Sequence, residues 1–167
     1  MTWLKTLLFT VIVPGTVAIY IPRWLLATEQ AQASFDLGAA RYLSLVLMAL
    51  GAALYAWCAW DFTFTGKGTP APLDPPKELV VRGLYRYTRN PMYVGVLTVL
   101  LGEALWFGSR RLLGYAGVVA LFFNLFILLY EEPYLRWRFG DAYRRYCAAV
   151  PRWFFPLARR RGQQSAK

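Results

Sequence analysis

Four long apolar blocks constrain this chain more than any other feature. Thr6–Ile21, Leu43–Trp60 and Leu112–Tyr130 carry no charged residue, and Met92–Gly108 carries one, Glu103. A bilayer core about 30 Å thick takes roughly 17–25 apolar residues per helix, but only about 9–11 per strand. Inside lipid every backbone N–H and C=O must find its partner within the protein, so a block of this length crosses as a helix. The apolar content agrees: 57% of residues are hydrophobic, against about 45–50% in a soluble domain. The expected fold is therefore all-α, a polytopic membrane bundle of about four transmembrane helices in a single domain, 1–167.

Charge placement orients such a bundle. The net charge is +10 with no histidine. With four spans, the N-terminus, residues 61–91 and the tail after Tyr130 share one side. Of the 19 lysines and arginines, all but Arg23, Arg41, Arg110 and Arg111 fall there. The positive-inside rule places that side, and both termini, in the cytoplasm, at the inner membrane if the source is bacterial. The basic excess thus reads as topology and lipid headgroup contact rather than nucleic-acid binding, and the Arg159–Arg161 run with it. Cys58 and Cys147 lack metal or redox spacing, so both are expected to be packing residues and no metal site is expected.

The N-terminus imitates a secretory signal: Lys5, an apolar run, then Ala31-Gln32-Ala33. Pro22-Arg23 separates the run from the small residues, and a retained first span is expected, about Trp3–Ile21, ending at Pro22. Residues 23–41 read as a short external connection and about Tyr42–Asp61 as the second span, so 1–61 holds two spans. Gly51, Ala52 and Ala53 suit close helix contact. Residues 62–91 form a cytoplasmic loop, rich in glycine and proline at first and basic-aromatic later. Residues 92–130 read as a tight hairpin of spans three and four, linked by Ser109-Arg110-Arg111. Pro133 breaks the pattern, and a new interfacial helix is expected from there within the cytoplasmic region 131–167. Leu135, Phe139, Ala142, Tyr146 and Val150 share one face of it; Arg138, Asp141, Arg144 and Arg145 share the other.

Three stretches carry chemistry. The first runs Gly83-Leu84-Tyr85-Arg86-Tyr87-Thr88-Arg89-Asn90-Pro91-Met92-Tyr93-Val94-Gly95 into span three. The second is Glu131-Glu132 at the end of span four. The third runs from Phe139-Gly140 through Tyr143, Tyr146 and Val150-Pro151-Arg152 to Pro156. A hairpin brings Arg89–Gly95 beside Glu131-Glu132. Two carboxylates at a membrane boundary are costly unless paired or bound to a ligand, so they either pair with Arg86, Arg89 or Arg136 or face a bound molecule. Glu103 either serves a function inside the membrane or sits near the external interface by Arg110 or Arg111, and the second is expected.

The ordered pattern resembles the isoprenylcysteine carboxyl methyltransferase family and its phospholipid methyltransferase relatives. The matching positions are Gly83, Tyr85, Arg89, Pro91, Tyr93 and Gly95, then Glu131, Glu132, Leu135, Phe139, Gly140, Tyr143, Tyr146, Val150, Pro151 and Pro156, over about residues 77–156. The resemblance implies S-adenosylmethionine (SAM) as cofactor and direct displacement onto a lipophilic, membrane-embedded acceptor, a lipid or small molecule entering between helices. It implies cofactor contacts from Lys77, Glu78, Leu79, Val80, Tyr85, Asn90, Pro91, Met92, Tyr93, Glu131 and Glu132. No residue is implied as catalytic in itself, and the substrate-binding residues are left open. Carboxylates suit a ribose diol or an ammonium, and tyrosine rings suit adenine or a sulfonium.

Two departures bear on the acceptor. The family histidine is Asn90, which cannot take a proton near neutral pH; this favours a carboxylate or another ready nucleophile over an amine. The arginine that prenylcysteine methyltransferases carry one turn before the glutamates is Ile127. Phospholipid N-methylation and a non-catalytic membrane scaffold that binds lipid stay open as alternatives. Oligomeric state is not legible.

Overall fold

The computed structural model describes residues 2–28, 35–64 and 79–153. Among them all regular structure is helical: α1 (Thr2–Gly15), α2 (Ile21–Thr28), α3 (Leu43–Phe64), α4 (Pro91–Phe107), α5 (Arg110–Phe126) and α6 (Glu132–Ala149). Three continuous segments, Trp3–Thr28, Gly38–Phe64 and Arg110–Ala149, are long and apolar enough to cross a membrane by length and composition; Pro91–Phe107 is a shorter apolar helix. Their large hydrophobic side chains point mostly outward: Leu8, Val46, Val118 and Leu129 are exposed. Apolar surface of this extent facing away from the protein is matched to lipid, not water.

Prolines shape the helices without ending them. Pro22 lacks an N–H, and its ring crowds the carbonyl of Ala18. The chain widens there into one π-helical turn, Thr16–Tyr20, and continues through α2 to Thr28. The first helix therefore outruns its expected end at Pro22. Pro133 acts likewise. A π turn at Ile127–Glu131 precedes it, so α5 and α6 form one 40-residue segment where a break was expected. Such a segment rises about 60 Å, roughly twice a ~30 Å hydrocarbon core. Its real break lies at Gly140, where φ is 52° and ψ −125°. That positive-φ residue distorts the helix locally. Ala142, expected inside, is exposed, and Tyr143 takes its place in a cluster with Tyr146 and Val150.

The connection between α4 and α5 is also shorter than expected. It is Gly108-Ser109 alone, because Ser109 caps α5 by accepting from the Leu112 N–H at 3.2 Å, and Arg110 and Arg111 are already helical. The tightest packing is α3 on α4. A Cβ on Gly51 would lie 2.6 Å from the Gly95 carbonyl oxygen, and one on Gly95 would lie 2.8 Å from that of Gly51. Neither backbone can yield without the helices separating. Gly95→Val is therefore expected to destabilise the protein by at least about 1–3 kcal/mol, read as a fall in the thermal unfolding midpoint in detergent. Glu103, on α4, feels the charge of Arg23 from α2 rather than of Arg110 or Arg111, because the first helix extends far enough to deliver Arg23 there.

Candidate functional site

The segment before α4 is held by backbone rather than by regular structure. A 3₁₀ turn, Gly83–Arg86, buries Tyr85, and Asn90 stands at the N-cap of α4 with Pro91 in its first turn. The chain after α6 is fastened to this segment by three hydrogen bonds. The Arg89 N–H donates to the Pro151 carbonyl at 2.9 Å. The Thr88 hydroxyl and the Asn90 amide both donate to the Arg152 carbonyl, at 2.9 and 3.0 Å. Tyr146 adds a fourth tie across the gap, its hydroxyl donating to the Tyr85 carbonyl at 2.8 Å.

These elements enclose a cavity of about 360 Å³. Of the residues expected at a site, Leu79, Val80, Tyr85, Asn90, Tyr93, Glu131 and Glu132 line it. Pro91 and Met92 are not in its wall; Met92 packs behind it on the Cys58–Val80–Tyr85 cluster. Lys77 and Glu78 lie outside the described residues. Cys58 is fully buried in that cluster, and both cysteines are free thiols.

The two adjacent glutamates meet opposite surroundings. Glu132 is buried among three arginines: Arg152 at 2.7 Å, Arg89 at 3.1 Å and Arg136 at 3.4 Å. Arg152 forks onto both carboxylate oxygens, the second contact at 3.0 Å. These hydrogen bonds push the Arg152 pKa up from its ordinary value. Glu131 has no arginine among the described residues; its Oε2 accepts from the Tyr93 hydroxyl at 2.7 Å. Pairing with Arg89 and Arg136 was thus legible for one glutamate of the two. Arg89 also places Nη1 2.8 Å from Cys147 Sγ.

The aromatic side chains complete the wall. The Tyr93 ring lies 4.7 Å from that of Phe123, and Phe62 meets Tyr85 edge-on at 5.5 Å. Burial pushes the Tyr85 phenol well above its usual pKa, so it stays a neutral hydroxyl. Phe122, Phe126, Tyr130 and Tyr134 form an i, i+4 ladder along α5 and α6, each on the cavity and each ring within 6.3 Å of the next. That spacing is visible in the sequence, but nothing there says which face turns inward. Ile127 is fully buried in the same wall. Arg152 carried no signal beyond its place between matched prolines.

The arrangement offers one carboxylate not paired with arginine, an enclosed tyrosine pair and a long apolar flank. It is suited to hold a polar, aromatic-bearing molecule beside an apolar one.

Comparison with known proteins narrows the kind of protein. A family model described as Phospholipid methyltransferase matches residues 39–142. An uncharacterized protein of Haemophilus influenzae is 44% identical over 64 residues, covering 37% of this chain and 98% of that protein. A protein-S-isoprenylcysteine O-methyltransferase of Schizosaccharomyces pombe is 39% identical over 74 residues, covering 44% of this chain and 31% of that protein. No solved structure matches the chain. The matched region takes in α3, α4, α5 and the glutamate pair, and with its long apolar helices the chain belongs to the phospholipid methyltransferase family of integral membrane proteins.

Proposed function

We propose that this chain is a SAM-dependent methyltransferase acting on a lipophilic acceptor held in the membrane. The carrying observation is the division of labour between the glutamates. Glu132 is paired with three arginines, whereas Glu131 stands on the cavity with Tyr93 as its one hydrogen-bond partner among the described residues. SAM, when bound, supplies a methyl on a sulfonium, open to direct displacement.

The residues present fit that molecule. Glu131 can accept from a ribose diol or an ammonium group. Tyr85 and Tyr93 present rings for adenine or for cation–π contact with a sulfonium. The Arg89–Glu132–Arg152 cluster fixes the turn that carries Asn90 and Tyr93. Lys77, Glu78, Pro91 and Met92 belong to the proposed cofactor set through the family pattern. Asn90 spends its amide on the Arg152 carbonyl, so it positions backbone and takes no proton. Positioning supplies most of the rate in such a site, and an acceptor already ionised needs no base.

The isoprenylcysteine in the fission yeast relative's name would find no arginine at Ile127, which is apolar and buried. A second reading, phospholipid N-methylation, is favoured by the family description. It needs a proton acceptor, and Glu131 is the cavity carboxylate available for that. We further propose four crossings, with α4 and α5 as the hairpin and both termini cytoplasmic; the arginine-rich surface of α6 supports this orientation.

Incubating the purified protein with methyl-labelled SAM and a membrane lipid extract is expected to move label into a lipid or lipophilic fraction. Base-labile label marks an ester; label in an amine headgroup marks the second reading. No binding of SAM at millimolar concentration would leave the non-catalytic scaffold.

A further inference from the structure

Phe9 and Val13 stand apart in the cavity wall. They belong to α1, outside the residues 39–142 that the family model matches. This helix packs on α3. It is fastened there by Thr10 Oγ1 and Tyr55 Oη at 3.0 Å, and by Thr63 Oγ1 donating to Thr6 Oγ1 at 3.0 Å. The N-terminal segment meets α5 at the π turn and beyond it. There α2 packs on α5, the Tyr115 hydroxyl donates to the Val17 carbonyl at 2.9 Å, and Arg111 Nη1 donates to the Thr28 carbonyl at 3.0 Å.

At the other end, Phe9 and Val13 line the cavity together with Phe122 and Phe126. Val13 and Phe122 are also 46% and 62% exposed. Cavity wall and outer apolar surface are therefore continuous between α1 and α5, within segments long and apolar enough to lie in the bilayer. None of these four side chains is charged. The enclosed volume, about 360 Å³, is near the low end of the roughly 300–1,000 Å³ typical of small-molecule sites. A nucleoside-bearing cofactor takes up most of that, so an acceptor with a hydrocarbon chain needs room elsewhere.

We infer that the α1/α5 cleft holds the hydrocarbon chain of the acceptor and that Phe9 and Val13, by their bulk, select which chains enter. This rests on reading the cavity as a methyl-transfer site. The chain lies on Phe122 and Phe126, and its polar end reaches toward Glu131. Val13, outward-facing on a helix tied mainly to α3, can change size without disturbing the glutamate cluster.

The test uses the full chain in phosphatidylcholine nanodiscs doped with a phosphatidylethanolamine, and separately with a free fatty acid, each carrying a mid-chain diazirine. After irradiation, labelled residues are mapped by peptide mass spectrometry. Leu129 is 75% exposed and Ile127 only 1%. Leu129 therefore reports surrounding lipid, and Ile127 takes label only from a chain inside the cavity. Label at Ile127, Phe9 and Val13 is expected with at least one probe. Val13→Trp and Phe9→Trp should each lower labelling at Ile127 several-fold and leave Leu129 unchanged. No label at Ile127 with either probe, or label indifferent to both substitutions, overturns the inference. S-adenosylhomocysteine binding is measured on the same discs. Chain labelling without that binding keeps the cleft and sinks the methyl-transfer reading; binding without cavity labelling does the reverse.

Discussion

Glu131→Gln protein is expected to fold normally and to bind S-adenosylhomocysteine about 10- to 100-fold more weakly than the parent. Glutamine keeps the size of the side chain and an oxygen to accept from Tyr93, which now bonds Glu131 at 2.7 Å. What it loses is the charge. Hydrogen bonds to a charged group contribute about 1.5–3 kcal/mol, and about 1.4 kcal/mol is tenfold in affinity. Isothermal titration calorimetry gives the affinity, and an unchanged thermal midpoint shows that the fold is intact. Tyr93→Phe should cost less, because it removes only the orienting hydroxyl and leaves the carboxylate. Parental affinity in Glu131→Gln would remove Glu131 from the proposed site.

The neighbouring substitution should fail differently. Glu132→Gln is expected to lower stability by about 3–5 kcal/mol, the usual cost of removing one partner of a buried ion pair. Arg89 and Arg152 would then face each other across a neutral amide, with Arg89 only 12% exposed at its side chain. Arg136 is a weaker partner: 59% exposed and 3.4 Å away, so Arg136→Ala should cost no more than about 1 kcal/mol. Arg152→Gln should fall between these, since it also loosens the segment that receives hydrogen bonds from Thr88 and Asn90. Thermal unfolding in detergent ranks the variants, and the Glu132→Gln/Arg152→Gln double mutant measures the coupling. A Glu132→Gln protein as stable as the parent would show that the cluster does not hold the turn. Together the two experiments separate adjacent carboxylates by role, binding against positioning.

How legible this was varied by the range of the interaction. Helix identity follows from apolar runs, and those are local. That Gly51 suits a close helix contact was legible in the same way; that it meets Gly95 of α4, and that Ala52 and Ala53 stay exposed, was not. Helix ends were not. Pro22 and Pro133 read as stops because proline cannot donate, yet π turns absorb both, and whether a turn widens depends on what packs around it. On α6 the expected inner face holds at Tyr146 and Val150 but not at Ala142, next to the positive-φ Gly140, where Tyr143 is buried instead. The first helix reaches past Pro22, and so Arg23 rather than Arg110 or Arg111 acts on Glu103.

The sequence by itself determined that this is a helical membrane protein of a methyltransferase family, and most of the site residues it named and the structure describes, Tyr85, Tyr93 and Glu131 among them, line the cavity. Hydrophobic run length and ordered motif spacing are properties of the chain alone. Only the tertiary structure decided which glutamate is tied to arginines and which to Tyr93. Arg152 is 20 residues from Glu132, and nothing along the chain says that it returns there. The structure also added α1 to the cavity wall, through Phe9 and Val13. Both results rest on contacts between residues far apart in sequence, where burial and charge pairing are settled by packing and not by neighbours.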